Sequence, residues 1–558
     1  MLVPPLPAGG GGSWERGGGE GVLLWHNPPL NEEDLTLRRV GVFGWGVVAP
    51  RSPDISAFER NLESAESWLT PFNGFGPDDF LVGMPEFSFA AYRDWISERF
   101  PPNRFRQLEE KMDLPALYAV GAFIQALGQN PGIEAELSRL GSAAHVYVGS
   151  GIGNVDTIGR GALSLARAQR RWDRFWGERN AERPELPGLD AIADAADAED
   201  RRDAEDAWWH AQAASSPELH AYLRELAEIE SLAVEGDVES GKMSLMKEKQ
   251  RRLGQLQKRW GCPVPPWQAV SANLVWNLHN TPASQITMLG HITGLSFAPV
   301  AACSTFGVAL KLGMDAIVRG EAKAVVVGAT DPPPHPLVVG AFYAARVIAA
   351  DAAVSKPLTG LRGTHVAGGS ALWILGDLEH MTALGFHPLG MEPLAVGVSS
   401  DADHIITPST EGPTAAIEQA LAAAAVSRGE IATWDLHATA TPGDFKEVST
   451  LRGVLPESVL VTARKGTFGH GMAAGGGWEL TAQYLGYARG HLFPTPLGEA
   501  DLNPQIAAVH DLFAFDRPCP SRPGAAGKLS MGIGGINACV ISRPYEIPSE
   551  RRSSASKK

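Results

Sequence analysis

Residues 295–320 read LSFAPVAACSTFGVALKLGMDAIVRG, and this stretch decides what kind of molecule the chain is. LSFAPV is β-like, GVALKLGMDAIVRG has the spacing of an apolar helix, and Ala301-Ala302-Cys303-Ser304-Thr305 stands between them. A cysteine at a strand-to-helix junction meets the positive end of the helix dipole, which predicts a lowered pKa and favours thiolate. The backbone amides of such a turn can also hold a developing oxyanion. Taken alone, a cysteine between small residues is more often a packing residue than a nucleophile. The rest of the chain has to decide.

Working outward, AVVVG (324–328) and ALWIL (371–375) are continuous apolar runs, as expected of strands covered on both faces. RRVGVFGWGVV (38–48) reads as a first strand, KMDLPALYAVGAFIQAL (111–127) as a helix ending at Gly128, and 413–425 as a further helix. HVYVGSGIG (145–153) is a strand running into a glycine turn. Its Gly-x-Gly-x-Gly is only part of a dinucleotide fingerprint, and the full G-x-G-x-x-G pattern is missing. The alternation predicts an α/β layered fold around a buried sheet.

Between 161 and 261 the composition shifts to DAIADAADAEDRRDAEDAWW, LHAYLRELAEIESL and KEKQRRLGQLQKRW. Leu219, Leu223, Leu226 and Ile229 recur at helical spacing, so the segment reads as a helical insertion on the surface of a larger domain. Dense positive charge at 167–179 and 247–259 leaves a docking surface as the sharper alternative. Residues 1–37 read as a disordered Gly/Pro-rich lead-in and 547–558 as a disordered polar tail.

The 558 residues are 44% apolar and 20% charged, the balance of a soluble globular protein. No run approaches the about 18 apolar residues of a membrane span, and the N-terminus lacks the pattern of a secretory signal. The four cysteines (Cys262, Cys303, Cys519, Cys539) form neither a disulfide framework nor metal-ligand spacing, which suits a reducing cytoplasm. A net charge of −15 argues against nucleic acid as a general partner.

Two further islands carry reactive residues. His437-Ala438-Thr439-Ala440-Thr441-Pro442-Gly443-Asp444 follows the strand-like TWDL, and Lys465-Gly466-Thr467-Phe468-Gly469-His470 runs into a glycine-rich segment. Either histidine alone is compatible with a satisfied structural role. In order, the three islands resemble the A-C-[SA]-[ST], H-x-T-x-T-P and K-x-x-x-G-H motifs of the β-ketoacyl-acyl carrier protein synthases. Ser530-Met531-Gly532-Ile533-Gly534-Gly535-Ile536-Asn537 resembles their closing S-F-G-F-G-G-T-N loop. Lys111-Met112-Asp113 and Ser400-Asp401-Ala402-Asp403-His404 are weaker echoes.

The resemblance implies a thiolase-like, five-layered αβαβα fold of two similar halves, 38–376 and 377–546, with the insertion (about 161–261) in the first. It implies Cys303 as nucleophile, His437 and His470 as donors to an enolate, and the Cys303 and Ile533 amides as oxyanion hole. Lys465 is expected to organise the site by pairing with Glu447, and Thr439 and Thr441 to bind a phosphopantetheine arm. No metal, nucleotide or redox cofactor is implied; substrates would ride on an acyl carrier protein or coenzyme A, and a homodimer is the default.

Three departures qualify the match. The loop from His437 to Asp444 is one residue short, which leaves the place of Asp444 open. Gly368-Gly369-Ser370 lacks an acidic residue usual in the family, and Ile533 replaces an aromatic gate for the acyl chain. Together with the insertion they make a housekeeping fatty-acid role less secure and a specialised lipid or polyketide pathway plausible. Two rivals remain: a true thiolase using Cys539 as a second cysteine, and a non-catalytic chain-length-factor subunit of a heterodimer.

Overall fold

The computed structural model describes residues 13–16, 23–26, 38–76, 79–181, 198–234 and 238–545. Within the lead-in expected to be disordered, Ser13–Arg16 pairs antiparallel with Leu23–His26. The remainder of 1–37 and all of the 547–558 tail lie outside the described residues.

Two five-stranded sheets make the body. The first contains β1 (Val40–Val48), β2 (Ala144–Gly149), β3 (Ser296–Phe297), β4 (Ala324–Asp331) and β5 (Gly369–Asp377) in the order β1-β5-β4-β2-β3. The second contains β6 (Met391–Ser400), β7 (Ile431–Asp435), β8 (Leu460–Thr462), β9 (Ala525–Gly532) and β10 (Ile536–Pro544) in the order β6-β10-β9-β7-β8. The order is the same in both. So is the polarity: the first two pairings of each sheet are antiparallel and the last two parallel. Every residue of β4 and β5 is buried, which explains their unbroken apolar runs.

Helices complete the layers. α1 (Leu114–Leu127) packs on the outer face of the first sheet and α2 (Thr305–Val318) between the two sheets. α3 (Glu411–Ala424) and α4 (Gly443–Val454) cover the far face of the second sheet, and α5 (Met472–Arg489) returns to the middle beside α2. The result is the expected five-layered αβαβα stack. Residues 472–486 of α5 are all buried. A Cβ on Gly477 would lie 2.5 Å from Phe306, so the glycines of α5 let the two central helices close on each other.

The insertion is a bundle of Val155–Glu178, Ala198–Ala214, Pro217–Glu230 and Val238–Trp260. Its own core gathers Trp172, Trp176, Leu219, Tyr222, Leu226 and Leu256, with Leu223 and Ile229 packed at its edge. The helical stripe read in the sequence is this core. Much of the positive charge is neutralised inside the bundle: Arg170 pairs with Asp206 at 2.5 Å, Arg174 with Glu205 at 2.9 Å, and Arg259 with Glu225. Among the described residues no helix is long and apolar enough to cross a membrane.

Candidate active site

Cys303 sits in a single 3₁₀ turn, Ala302–Ser304, that opens α2. The turn is tight: Ala302 takes φ +47°, a left-handed conformation that costs a side-chain-bearing residue free energy. Neighbours over-determine it. Ser304 Oγ donates to the Ile536 carbonyl at 2.7 Å, and Thr305 Oγ1 accepts from the Ala301 amide at 2.9 Å while donating to the Ala302 carbonyl at 2.7 Å. The closing glycine loop thus locks the Cys303 turn from the opposite half of the molecule.

The thiol does not behave as the helix dipole alone predicts. Burial pushes Cys303 up to about 11, against the pull of the Lys465 ammonium and the Ile533 and Cys303 amides. Desolvation of a buried thiolate outweighs one helix terminus, so the resting group is a thiol. Its partner is His470, whose Nε2 lies 3.0 Å from Sγ. The two amides that act on the sulfur are those expected to form an oxyanion hole.

His470 is held by its backbone, which donates to the His365 carbonyl at 2.6 Å and accepts from Ala367 at 2.9 Å. Gly469, at φ +80°, makes the turn that delivers it. His437 leaves the end of β7, and its ring stands edge-on to that of His470 with centroids 5.2 Å apart and planes at 84°. Both imidazoles are held well below the ordinary histidine range, first by burial and then by the nearby lysine charges. They are neutral near pH 7 and can donate N–H groups without carrying charge.

The structure redraws the role of Glu447. Its Oε1 accepts the His437 amide at 2.7 Å and its Oε2 the Ala438 amide at 2.8 Å, so both oxygens are committed to main chain. The expected Lys465–Glu447 pair is therefore replaced. Lys465 reaches Glu479 on α5 at 2.6 Å and donates to the His437 carbonyl. Asp444, whose place the shortened loop left open, accepts from Thr439 and Ala440 at 2.8 and 3.1 Å and from Leu358 at 2.9 Å. Sequence reasoning missed Glu479, although a carboxylate in the apolar run MAAGGGWELTAQYLG was a signal for it. It also missed Asp331, which accepts from Gly151, Ile152 and Ala473 at 2.7–2.9 Å and whose charge acts on Cys303.

One pocket gathers most of these groups. Cys303, His437, His470, Thr439, Thr441 and Ile533 line it, while Lys465 is buried behind the wall. The Thr439 and Thr441 hydroxyls are 3.0 Å apart. Ile533 is 43% exposed on the rim. An apolar side chain at the mouth, two hydroxyls along the wall and a thiol with two neutral imidazoles at the base can seat a long thin thioester and transfer its acyl group.

Comparison with known proteins finds similarity in both sequence and fold. The β-ketoacyl synthase N-terminal domain model matches residues 246–380 and the C-terminal domain model residues 392–497. Nodulation protein E of Rhizobium meliloti is 29% identical over 270 residues, which cover 46% of this chain and 64% of that protein. The chloroplastic 3-oxoacyl-[acyl-carrier-protein] synthase I of Arabidopsis thaliana is 28% identical over 259 residues, covering 45% and 54% respectively. The chain thus spans somewhat less than two thirds of the length of these curated relatives. The ishigamide ketosynthase/chain length factor superposes with a TM-score of 0.64 at 18% identity, covering 92% of this chain and all of that one. Matched by both domain models over part of its sequence and sharing the ketosynthase fold over nearly its whole length, the chain is similar to the β-ketoacyl synthases.

Proposed function

We propose that the chain is a decarboxylating β-ketoacyl-acyl carrier protein synthase, working through an acyl-cysteine with substrates carried on the phosphopantetheine of an acyl carrier protein. The observation that carries this reading is the buried Cys303–His470 contact of 3.0 Å with the neutral His437 ring beside it. In the first half-reaction the Cys303 sulfur attacks the carrier thioester, His470 Nε2 relays the thiol proton, and the carrier leaves as a free thiol. The tetrahedral oxyanion meets the Cys303 and Ile533 amides.

In the second half-reaction a malonyl thioester loses carbon dioxide, and its electrons move onto the thioester oxygen as an enolate. Neutral N–H donors at His437 and His470 stabilise that charge where an unassisted enolate would be too costly. The enolate carbon attacks the acyl carbonyl, the C–S bond to Cys303 breaks, and the released thiolate takes up one proton. Thr439 and Thr441 hold the pantetheine arm and Ile533 gates the acyl chain. Lys465, Glu479, Glu447 and Asp444 keep the His437 loop in place. Decarboxylation drives the condensation, so the reading requires no metal or redox cofactor. A homodimer in the cytoplasm is the setting it implies.

The test is release of labelled carbon dioxide from malonyl-carrier protein together with transfer of a labelled acyl group to protein. Wild type should do both, Cys303→Ala should lose acyl transfer, and His470→Ala should lose decarboxylation. Absence of both activities in wild type, or their persistence in both variants, would sink the reading.

A further inference from the structure

Lys528 stands in the middle of β9, 1% exposed in its side chain, and the chemistry above gives it no part. Its Nζ lies 2.8 Å from Glu479 Oε2, donates to the Leu529 carbonyl at 2.5 Å and reaches the Leu436 carbonyl at 3.4 Å. Lys465 occupies Glu479 Oε1 at 2.6 Å and donates to the His437 carbonyl. One carboxylate therefore bridges two buried ammoniums. Each ammonium holds one of two consecutive carbonyls where the chain enters the His437 loop, while Glu447 holds the next two amides from the other side.

We propose that Lys528 is a positioning residue for decarboxylation: with Glu479 it fixes the main chain of Leu436 and His437 and places positive charge behind both imidazoles, keeping them neutral donors. This rests on the condensing-enzyme reading. A strand buried in an apolar sheet has no structural need of a lysine, and a buried ammonium is retained only when paired and hydrogen-bonded. The groups facing it are Glu479 from α5, Asp435 from β7, Glu447 from α4, His437 and His470 across the loop, and Cys539 from β10. Arg464 pairs with Asp435 at 2.8 Å on the far side. Burial pulls the Lys528 ammonium down, but Glu479, Asp435 and Glu447 outweigh it, so it stays charged. A fixed cation near an imidazole disfavours the imidazolium, and Lys528 acts in that direction on both histidines.

The experiment separates the half-reactions in the full chain for Lys528→Gln, Lys528→Met and Lys528→Arg. Cys303 acylation is read by intact mass, and carbon dioxide release from malonyl-carrier protein is read against pH. Removing a cation raises the imidazole pKa, so the acid limb of decarboxylation should move up by about one pH unit in the Gln and Met variants. Acylation, which reports an intact fold, should stay within about threefold of wild type, whereas Met should also lose about tenfold in decarboxylation rate. Arg should return the limb towards wild type.

Acylated Gln and Met variants with the wild-type limb and rate overturn the proposal. If neither folds, histidine-labelled NMR of wild type decides. Two imidazoles still neutral at roughly pH 5 support it, and either one half-protonated at roughly pH 6.5 overturns it. A wild type that neither acylates nor releases carbon dioxide overturns the condensing reading beneath it instead, so the two failures are distinguishable.

Discussion

The two sheets share strand order and polarity, and equivalent positions in them meet at the site. Cys303 lies between β3 and α2; His470 lies between β8 and α5, the same junction of the other half. The loop after β2 is pinned by the Asp331 carboxylate of β4. The loop after β7 is pinned by Glu447 and Asp444 on its amides and by Lys465 and Lys528 on its carbonyls or those beside it. One backbone plan thus serves two purposes. The first half needs one strained turn to present a thiol. On the proposed reading the second needs a buried network of charges, because it holds two imidazoles neutral and fixed around an oxygen that becomes an anion.

The sharpest way to break this comparison is to remove one of the paired junctions. Cys303→Ala should abolish acyl transfer, a loss of about 10⁴-fold or more in condensation, while malonyl decarboxylation remains measurable. His437→Ala or His470→Ala should lower carbon dioxide release by about 10²–10³-fold, the scale of one oxyanion donor. Equal losses in both half-reactions for all three variants would erase the division of labour between the halves.

The charge network offers the next test. Glu479→Gln leaves two buried ammoniums facing one neutral amide and should cost about 3–5 kcal/mol in urea unfolding. No buried pair in the first half should match it. A change below about 1 kcal/mol would mean that the network is not what holds the second half.

The pH dependence sharpens the same contrast. An imidazole of ordinary pKa would lose close to tenfold of its neutral form between about pH 7 and 5.5. The folded His437 and His470 have depressed pKa values, so their neutral forms persist as pH falls. Decarboxylation by pre-acylated enzyme should drop less than about twofold over that interval. A sigmoid centred near the ordinary histidine value would contradict the arrangement.

The smallest effect on chemistry belongs to the insertion. Trp176→Ala opens a cavity in a bundle with its own core and should destabilise it by about 3–5 kcal/mol, seen as an early melting phase. Turnover should stay within about twofold, as for distant uncoupled sites.

The layered fold was readable from AVVVG, ALWIL and the β–Cys–α junction because unbroken apolar runs and short motifs are local signals. The candidate site was legible for the same reason: Cys303, His437, Lys465 and His470 each stand in a short local motif, and the structure brings them together. Their supports were not. Lys465 finds Glu479, a helix away, rather than Glu447, because both oxygens of Glu447 are already taken by amides. Lys528 enters the site from β9, on a strand that pairs with β7 only in the folded sheet. The thiol pKa went opposite to the local reading because burial depends on the whole packing, which no dipole at one helix end reports.

The most direct test of the central claim is peptide mass spectrometry of the chain after incubation with acyl-carrier protein. The account predicts one acyl adduct, located on Cys303, that is discharged when malonyl-carrier protein is added. No adduct on Cys303, or one that survives malonyl-carrier protein unchanged, would contradict it.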